Sequence, residues 1–220
     1  MSEHLPPLSP PDPNALHQQI QQQIRQQIRQ KVRRARQQLS SEAQQHSATL
    51  LVQQAQHLPE LAAAQHIALY LSNDGELDTL PLIEYCQQLG KTLYLPVLHP
   101  FTAGYLLFQR YDTNTPMRTN KFGILEPKPD VSAMILPTQL DIIFMPLVAF
   151  DATGQRLGMG GGFYDRTLSF VNTPATATAS KTPLLVGLAH QCQQVDLVPT
   201  AVWDVPLPRV LTPEKLWRFA

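Results

Sequence analysis

The residues best suited to chemistry are gathered in one stretch, VAFDATGQRLGMGGGFYDR (148–166). Five of the chain's ten glycines, Gly154, Gly158, Gly160, Gly161 and Gly162, fall within nine positions there. A residue without Cβ accepts positive φ and lets backbone N–H groups converge closely on an anion. The helical pattern opening at Tyr164, Asp165 and Arg166 would add the free donors and positive dipole end of a helix N-terminus. Arg156 supplies a fixed planar charge, and Asp165 is placed to hold a hydrated divalent cation that bridges phosphates. No Gly-Lys-Ser/Thr follows, so this is not a Walker loop. The plainer alternative is a glycine-rich surface turn braced by an Arg156–Asp165 ion pair.

Three other segments carry groups that could join this loop. In YLSNDGELDT (70–79) Glu76 follows a strand and a turn, and its carboxylate can accept paired N–H donors from a heterocycle. Asp78 reads better as a helix-capping or turn residue. Arg25 and Arg29 stand one turn apart on one face of a basic helix, where they can clamp a polyphosphate. Asp204, in AHQCQQVDLVPTAVWDVPL (189–207), is a candidate second metal ligand beside Asp165, with a turn residue as the equal alternative.

These groups must be positioned by an alternation of strands and helices. HIALYLS (66–72), TLYLPVL (92–98), YLLFQRY (105–111), LDIIFMPLVAF (140–150) and LLVGLAH (184–190) read as strands. Helices are expected over about 79–89, ended by Gly90, and over 161–171. Near-continuous apolar strands separated by helices indicate an α/β fold: one domain over 14–220, with a mainly parallel central sheet and helices on both faces. The 150–165 loop then falls at the carboxyl end of a strand, where ligands sit in such folds. Two helices precede the sheet. The first covers about 14–38, with apolar positions Ile20, Ile24, Ile28, Val32, Ala35 and Leu39 at helical spacing. Ser41 and Gln44 form a capping box for the second, which stops near Leu58-Pro59. Residues 1–13 hold five of the twenty prolines and are expected to be a disordered tail, and NTPATATASKT (172–182) a mobile loop insertion.

Composition narrows the class. The 220 residues have zero formal net charge, but Arg25, Arg29, Lys31, Arg33, Arg34 and Arg36 lie in a stretch with no acid between Asp12 and Glu42. Cys86 and Cys192 have no metal-ligand spacing and read as small buried hydrophobes. The N-terminus lacks the apolar core of a signal peptide. The longest apolar run, Ile142 to Phe150, is interrupted by Pro146 and falls short of the ~20 residues that span a bilayer. A soluble cytoplasmic protein is expected.

From about residue 22 to 212 the chain resembles the 5-formyltetrahydrofolate cyclo-ligase family, also called 5,10-methenyltetrahydrofolate synthetase. The pieces, in the family's order, are IRQKVRRARQQLS, YLSNDGELDTLPLIEYCQQLGKTLYLPVL, NKFGILEP, DIIFMPLVAFDATGQRLGMGGGFYDR and VGLAHQCQQVDLVPTAVWDVPL. The resemblance implies an ATP- and magnesium-dependent conversion of 5-formyltetrahydrofolate to 5,10-methenyltetrahydrofolate, with release of ADP and phosphate. It implies that Arg156, Leu157, Gly158, Met159, Gly160, Gly161, Gly162, Phe163 and Tyr164 cradle ATP together with Arg25 and Arg29. Met159 to Phe163 would also face the folate, joined by Leu71 and Glu76. Asp165 and Asp204 would hold Mg2+, and Arg156 and Asp165 would be catalytic. Met159 and Phe163 stand where tyrosines are common, Arg25 where lysine is, and His190 in place of an aromatic. The protein is expected to act as a monomer, without nucleic-acid or membrane partners.

Positioning and charge neutralisation serve a phosphoryl transfer better than a protein nucleophile would, and no Ser–His–Asp set is in view. Sugar-phosphate isomerisation or acyl transfer would need a committed base or nucleophile, which is absent. A nucleic-acid binder using the basic helix, and a paralogue that binds nucleotide without turnover, remain the competing readings.

Overall fold

The computed structural model describes residues 13–172 and 182–219. The tail and the insertion therefore lie, apart from their boundary residues, outside the described residues. In chain order the elements are α1 (Pro13–Gln37), α2 (Ser41–Gln56), α3 (Pro59–Ala63), β1 (His66–Ala68), α4 (Leu80–Gln88), β2 (Thr92–Leu98), β3 (Leu106–Tyr111), β4 (Met117–Thr119) and β5 (Leu125–Pro127). They continue with β6 (Met134–Ile135), β7 (Ile142–Pro146), β8 (Ala149–Phe150), β9 (Arg156–Leu157), α5 (Phe163–Thr167), β10 (Leu184–Leu188), β11 (Arg209–Leu211) and β12 (Leu216–Arg218).

Eight strands form the central sheet in the order β12-β11-β10-β7-β1-β2-β3-β6. The five in the middle run parallel, and antiparallel strands close both edges. Successive side chains on a strand face opposite ways, and both sets here are apolar. Ile142 and Phe144 pack with Leu51 of α2, Leu61 of α3 and Leu82 of α4. Ile143 and Met145 pack on the other face with Phe150, Leu168 and Leu207. On that second face the helical cover is the short α5 and a 3-10 turn at Ser169–Asn172, supplemented by extended segments.

Four local expectations change. The run 140–150 is two strands, because Pro146 cannot donate to a ladder. Beyond it β8 leaves the sheet and pairs with β9 as a separate antiparallel hairpin, Ala149 opposite Leu157 and Phe150 opposite Arg156. The strand 66–72 keeps only His66–Ala68; Tyr70 instead offers its carbonyl to the Thr79 hydroxyl at 2.6 Å. The cap of α2 is Ser40, whose Oγ accepts from the Ala43 N–H at 3.2 Å, while Gln44 donates to the Gly75 carbonyl at 3.3 Å. Finally, the helix expected over 161–171 is the five-residue α5, entered through Gly162 with φ +63° and no side-chain cap. Cys86 is buried as expected, whereas Cys192 is exposed.

Candidate active site

At the carboxyl ends of β1, β2 and β7 lies a cavity of about 690 Å³. Strand order reverses between β1 and β7, so this is the switch point where open α/β sheets bind ligands. One wall is the glycine loop. It leaves β9 at Leu157, which is itself buried with Val32, Val148 and Val198 and anchors the loop. Gly158, Met159, Gly161, Gly162, Phe163, Tyr164 and Asp165 line the cavity. Gly160 sits at φ +98°, a conformation that a side chain disfavours. Arg166 clips the loop from behind, donating to the carbonyls of Gly161 and Gly104. Gly154 stands apart from this cradle. It forms the β8–β9 turn at φ +84°, and a Cβ there would lie 2.6 Å from the Leu207 carbonyl oxygen. The Asp151 carboxylate stiffens the same turn by accepting from the N–H groups of Thr153, Gln155 and Val198.

Charge collects behind the loop. Arg156, almost wholly buried, donates to Asp165 Oδ1 at 2.5 Å, and Asp165 also accepts from Val205 N–H at 3.3 Å. Burial pulls the Arg156 guanidinium down from its ordinary value, against the opposing pull of Asp165 and Asp204. Among the described residues its Nε has no partner. A buried unpartnered donor beside a cavity is a costly arrangement that a ligand oxygen would relieve. Asp204 accepts from Arg25 and from Ala201 N–H, and Arg29 Nε donates to the Gly158 carbonyl at 2.8 Å. Burial, then the like charge of Arg25, lowers Arg29 from its ordinary value. Arg25, Arg29 and Asp204 thus meet at the outer edge of the loop, while Asp165 joins it to the cavity.

The opposite wall is the turn Asn73–Glu76. Leu71 and Glu76 both line the cavity. Glu76 Oε2 accepts from Asn73 N–H at 3.0 Å, and burial pushes its carboxyl up to about 7. Asp78 lies one residue ahead of the Thr79 N-cap of α4 and accepts from Leu80 N–H at 3.0 Å.

Residues 21–213 match the 5-formyltetrahydrofolate cyclo-ligase family. The chain belongs to this family. It is 46% identical over 184 residues to the 5-formyltetrahydrofolate cyclo-ligase of Escherichia coli strain K12, covering 84% of this chain and 97% of that protein. It is 53% identical over 169 residues to the Haemophilus influenzae protein of the same name, covering 76% and 87%. In three dimensions it is similar to the NMR structure of Aquifex aeolicus 5,10-methenyltetrahydrofolate synthetase, with TM-score 0.73 and 29% identity over 89% of this chain and 92% of the other.

Several lining residues of this cyclo-ligase-family cavity were not singled out by sequence reasoning. Tyr70, buried and with a hydroxyl that has no partner among the described residues, lies just past β1. The β4–β5 hairpin roofs the cavity: Phe122 meets Phe163 edge-on with ring centres 5.7 Å apart. The hairpin is tied down by Glu126, which is buried and accepts from Leu98 N–H at 3.1 Å, Arg118 at 2.7 Å and Asn120 at 3.1 Å. The segment NKFGILEP carried the only advance signal of it. His190 is buried, held neutral by burial that lowers it to about 4, and hydrogen-bonded to the Glu76 backbone. Among the described residues no helix is long and apolar enough to cross a membrane.

Proposed function

We propose that the protein closes the ring of 5-formyltetrahydrofolate to give 5,10-methenyltetrahydrofolate, consuming ATP and releasing ADP and phosphate. The observation that carries this is the pairing of walls along one cavity: a half-buried carboxylate, Glu76, and an arginine-backed glycine loop line the same space. The cavity is the right kind of place for a flat heterocycle, with Glu76 accepting ring N–H groups and the Phe122–Phe163 pair shielding the ring. The loop amides, Arg156, Arg29 and Arg25 would hold the triphosphate.

The formyl oxygen is a poor leaving group. When it attacks the γ-phosphoryl group, ADP departs and an imidate phosphate forms. N10 then attacks the formyl carbon, loses its proton, and phosphate leaves. Such a transfer is accelerated by alignment and charge stabilisation, which is what Arg156 and the loop supply. Among the described residues no three His, Cys, Asp or Glu side chains gather as a metal cage. Asp165 and Asp204 each carry one oxygen engaged by an arginine and a backbone N–H. Two such carboxylates suit a Mg2+ that keeps water and phosphate as its other ligands. When bound, the ion would neutralise phosphate charge, with Asp165 and Asp204 as its protein ligands.

The basic helix offers little to nucleic acid. Arg25, Arg29 and Arg36 turn inward to partners and the half-exposed Arg33 is paired with Asp74, while Lys31 and Arg34 are exposed. The reading carries with it a cytoplasmic monomer. Mixing the protein with ATP, magnesium and 5-formyltetrahydrofolate should produce the methenyltetrahydrofolate chromophore and ADP in equal amounts. ADP without the chromophore would overturn ring closure as the reaction.

A further inference from the structure

Arg36 is wholly buried although it belongs to neither phosphate-facing group. Its Nε donates to the Asp74 carbonyl at 2.9 Å, its Nη2 to Asp74 Oδ2 at 2.7 Å, and its Nη1 to the Leu147 carbonyl at 3.4 Å. It therefore joins the turn after β1 to the end of β7, across the switch point. Asp74 has φ +53° and Gly75 φ +72°, two successive left-handed residues that reverse the chain. A non-glycine residue in that region is strained and persists only when its surroundings fix it. Asp74 is fixed by five side-chain hydrogen bonds or ion contacts: the three that Arg33 and Arg36 make to its carboxylate, one from Gln37, and the Arg36 bond to its carbonyl. The reversal returns the chain so that the Glu76 N–H meets the Asn73 carbonyl at 2.9 Å and the Glu76 side chain enters the cavity.

We propose that Arg36 is a positioning residue for the substrate: through Asp74 it sets where the Glu76 carboxylate stands in the cavity. This rests on the reading of Glu76 as the acceptor for the folate ring. A buried arginine fully paired with a carboxylate and two carbonyls could serve stability alone. Two features go further. The anchored turn ends in a cavity-lining carboxylate, and the field of Arg36 reaches it. The charged and titratable groups around Glu76 are Arg36, which favours its ionised form, Asp74, which opposes it, the buried hydroxyls of Tyr70 and Tyr164, and the neutral ring of His190.

The two ends of the pair therefore act on Glu76 with opposite sign. Removing the arginine raises the Glu76 pKa, and removing the Asp74 charge lowers it. If the ionised carboxylate binds the ring, kcat/KM for 5-formyltetrahydrofolate rises with pH through the Glu76 pKa. Arg36→Met should move that rise to higher pH and Asp74→Asn to lower pH. Both variants should raise the folate KM about tenfold, the effect of losing about 1.4 kcal/mol of orientation, with the ATP KM within about twofold of wild type. Arg36→Lys, which keeps the charge with fewer donors, should recover the pH midpoint but not the full KM, and serves if Arg36→Met does not fold. The same comparison is made by calorimetric binding of 5-formyltetrahydrofolate across pH. Midpoints that move together or stay fixed, or equal losses for ATP and folate, would make Arg36 a purely structural residue. A wild-type protein that neither binds nor converts 5-formyltetrahydrofolate would instead overturn the functional reading itself.

Discussion

The two walls of the cavity are built on opposite plans. The glycine loop is contiguous in sequence and leaves polar groups open: among the described residues the buried Arg156 Nε has no partner, and Gly160 and Gly162 hold positive φ with nothing but backbone to offer. The Asn73–Glu76 turn is short and commonplace in sequence, and almost all of its charge is consumed internally by Arg33, Arg36 and Gln37. Asn73 and Asp74 also line the cavity, but Glu76 is the carboxylate of the turn that no arginine pairs with among the described residues. A wall that binds a mobile polyphosphate keeps donors in reserve, whereas a wall that must present one carboxylate uses its charges as scaffolding. Helix α1 serves both, its arginines at 25 and 29 going to the first and those at 33 and 36 to the second.

The largest break in this comparison should come from the loop wall. Asp165→Asn removes the charge that pairs with Arg156 and would face phosphate-bound magnesium. Turnover at limiting magnesium should fall by about 10²-fold or more, the scale of losing one preorganised electrostatic group, and the melting temperature should fall as well because the buried Arg156 loses its counter-charge. A variant that keeps the wild-type rate would remove Asp165 from the reaction.

On the turn wall, Glu76→Gln keeps the shape but sets an NH₂ donor against ring N–H donors. A buried mismatch of this kind costs about 1–3 kcal/mol. The loss should appear in kcat/KM for folate, with ATP affinity unchanged by calorimetry. Equal loss of both ligands would mean that the two walls are not separable.

How legible each wall was in the sequence follows from the distance over which it is assembled. The loop's glycines, Arg156 and Asp165 are local, and their types alone suggested phosphate chemistry. Strand β2 and the α4 stop at Gly90 were equally plain, since apolar pattern and a left-handed glycine are local signals. The Ser40 cap was missed by one residue because Gln44 stands at capping-box spacing from Ser41, whereas its side chain reaches away to the Gly75 carbonyl. The run 140–150 looked like one strand because its apolar character does not change where Pro146 ends the ladder. Arg36 reaches Asp74 across 38 residues and Leu147 across 111, and no spacing rule links them. The same holds for Glu126, whose carboxylate closes the hairpin onto β2.

The shared helix allows a sharper test. Arg29→Ala should weaken ATP about tenfold and leave folate nearly unaffected, because the lost guanidinium stands at Gly158 and Gly160. Arg33→Ala should do the reverse and by less, since its side chain is 41% exposed and Arg36 still holds Asp74. Separate measurements of KM for the two substrates check both. If the two variants give the same profile, α1 acts as one unit and the division between its arginine pairs is false.

The smallest effect lies within the turn itself, where neighbouring carboxylates respond oppositely to pH. Hydrogen bonds from Arg33, and then from Arg36 against a desolvation cost, hold the Asp74 carboxyl down at about 2. Its contribution to stability is therefore present above the ordinary carboxylate range and lost as pH falls toward 2. Glu76 is the reverse case: burial raises its carboxyl to about 7, so ionising it costs stability, and that cost grows as pH rises through about 7. Asp74→Asn should accordingly melt below wild type at pH 7, with the gap closing in acid. Glu76→Gln should melt slightly above wild type at pH 8 and converge with it below the ordinary carboxyl range. Thermal melts across pH measure both. Glu76→Gln gaining stability while losing folate affinity would mark a carboxylate kept buried for its ligand; a variant less stable at every pH would mean that its bond to Asn73 matters more than its charge.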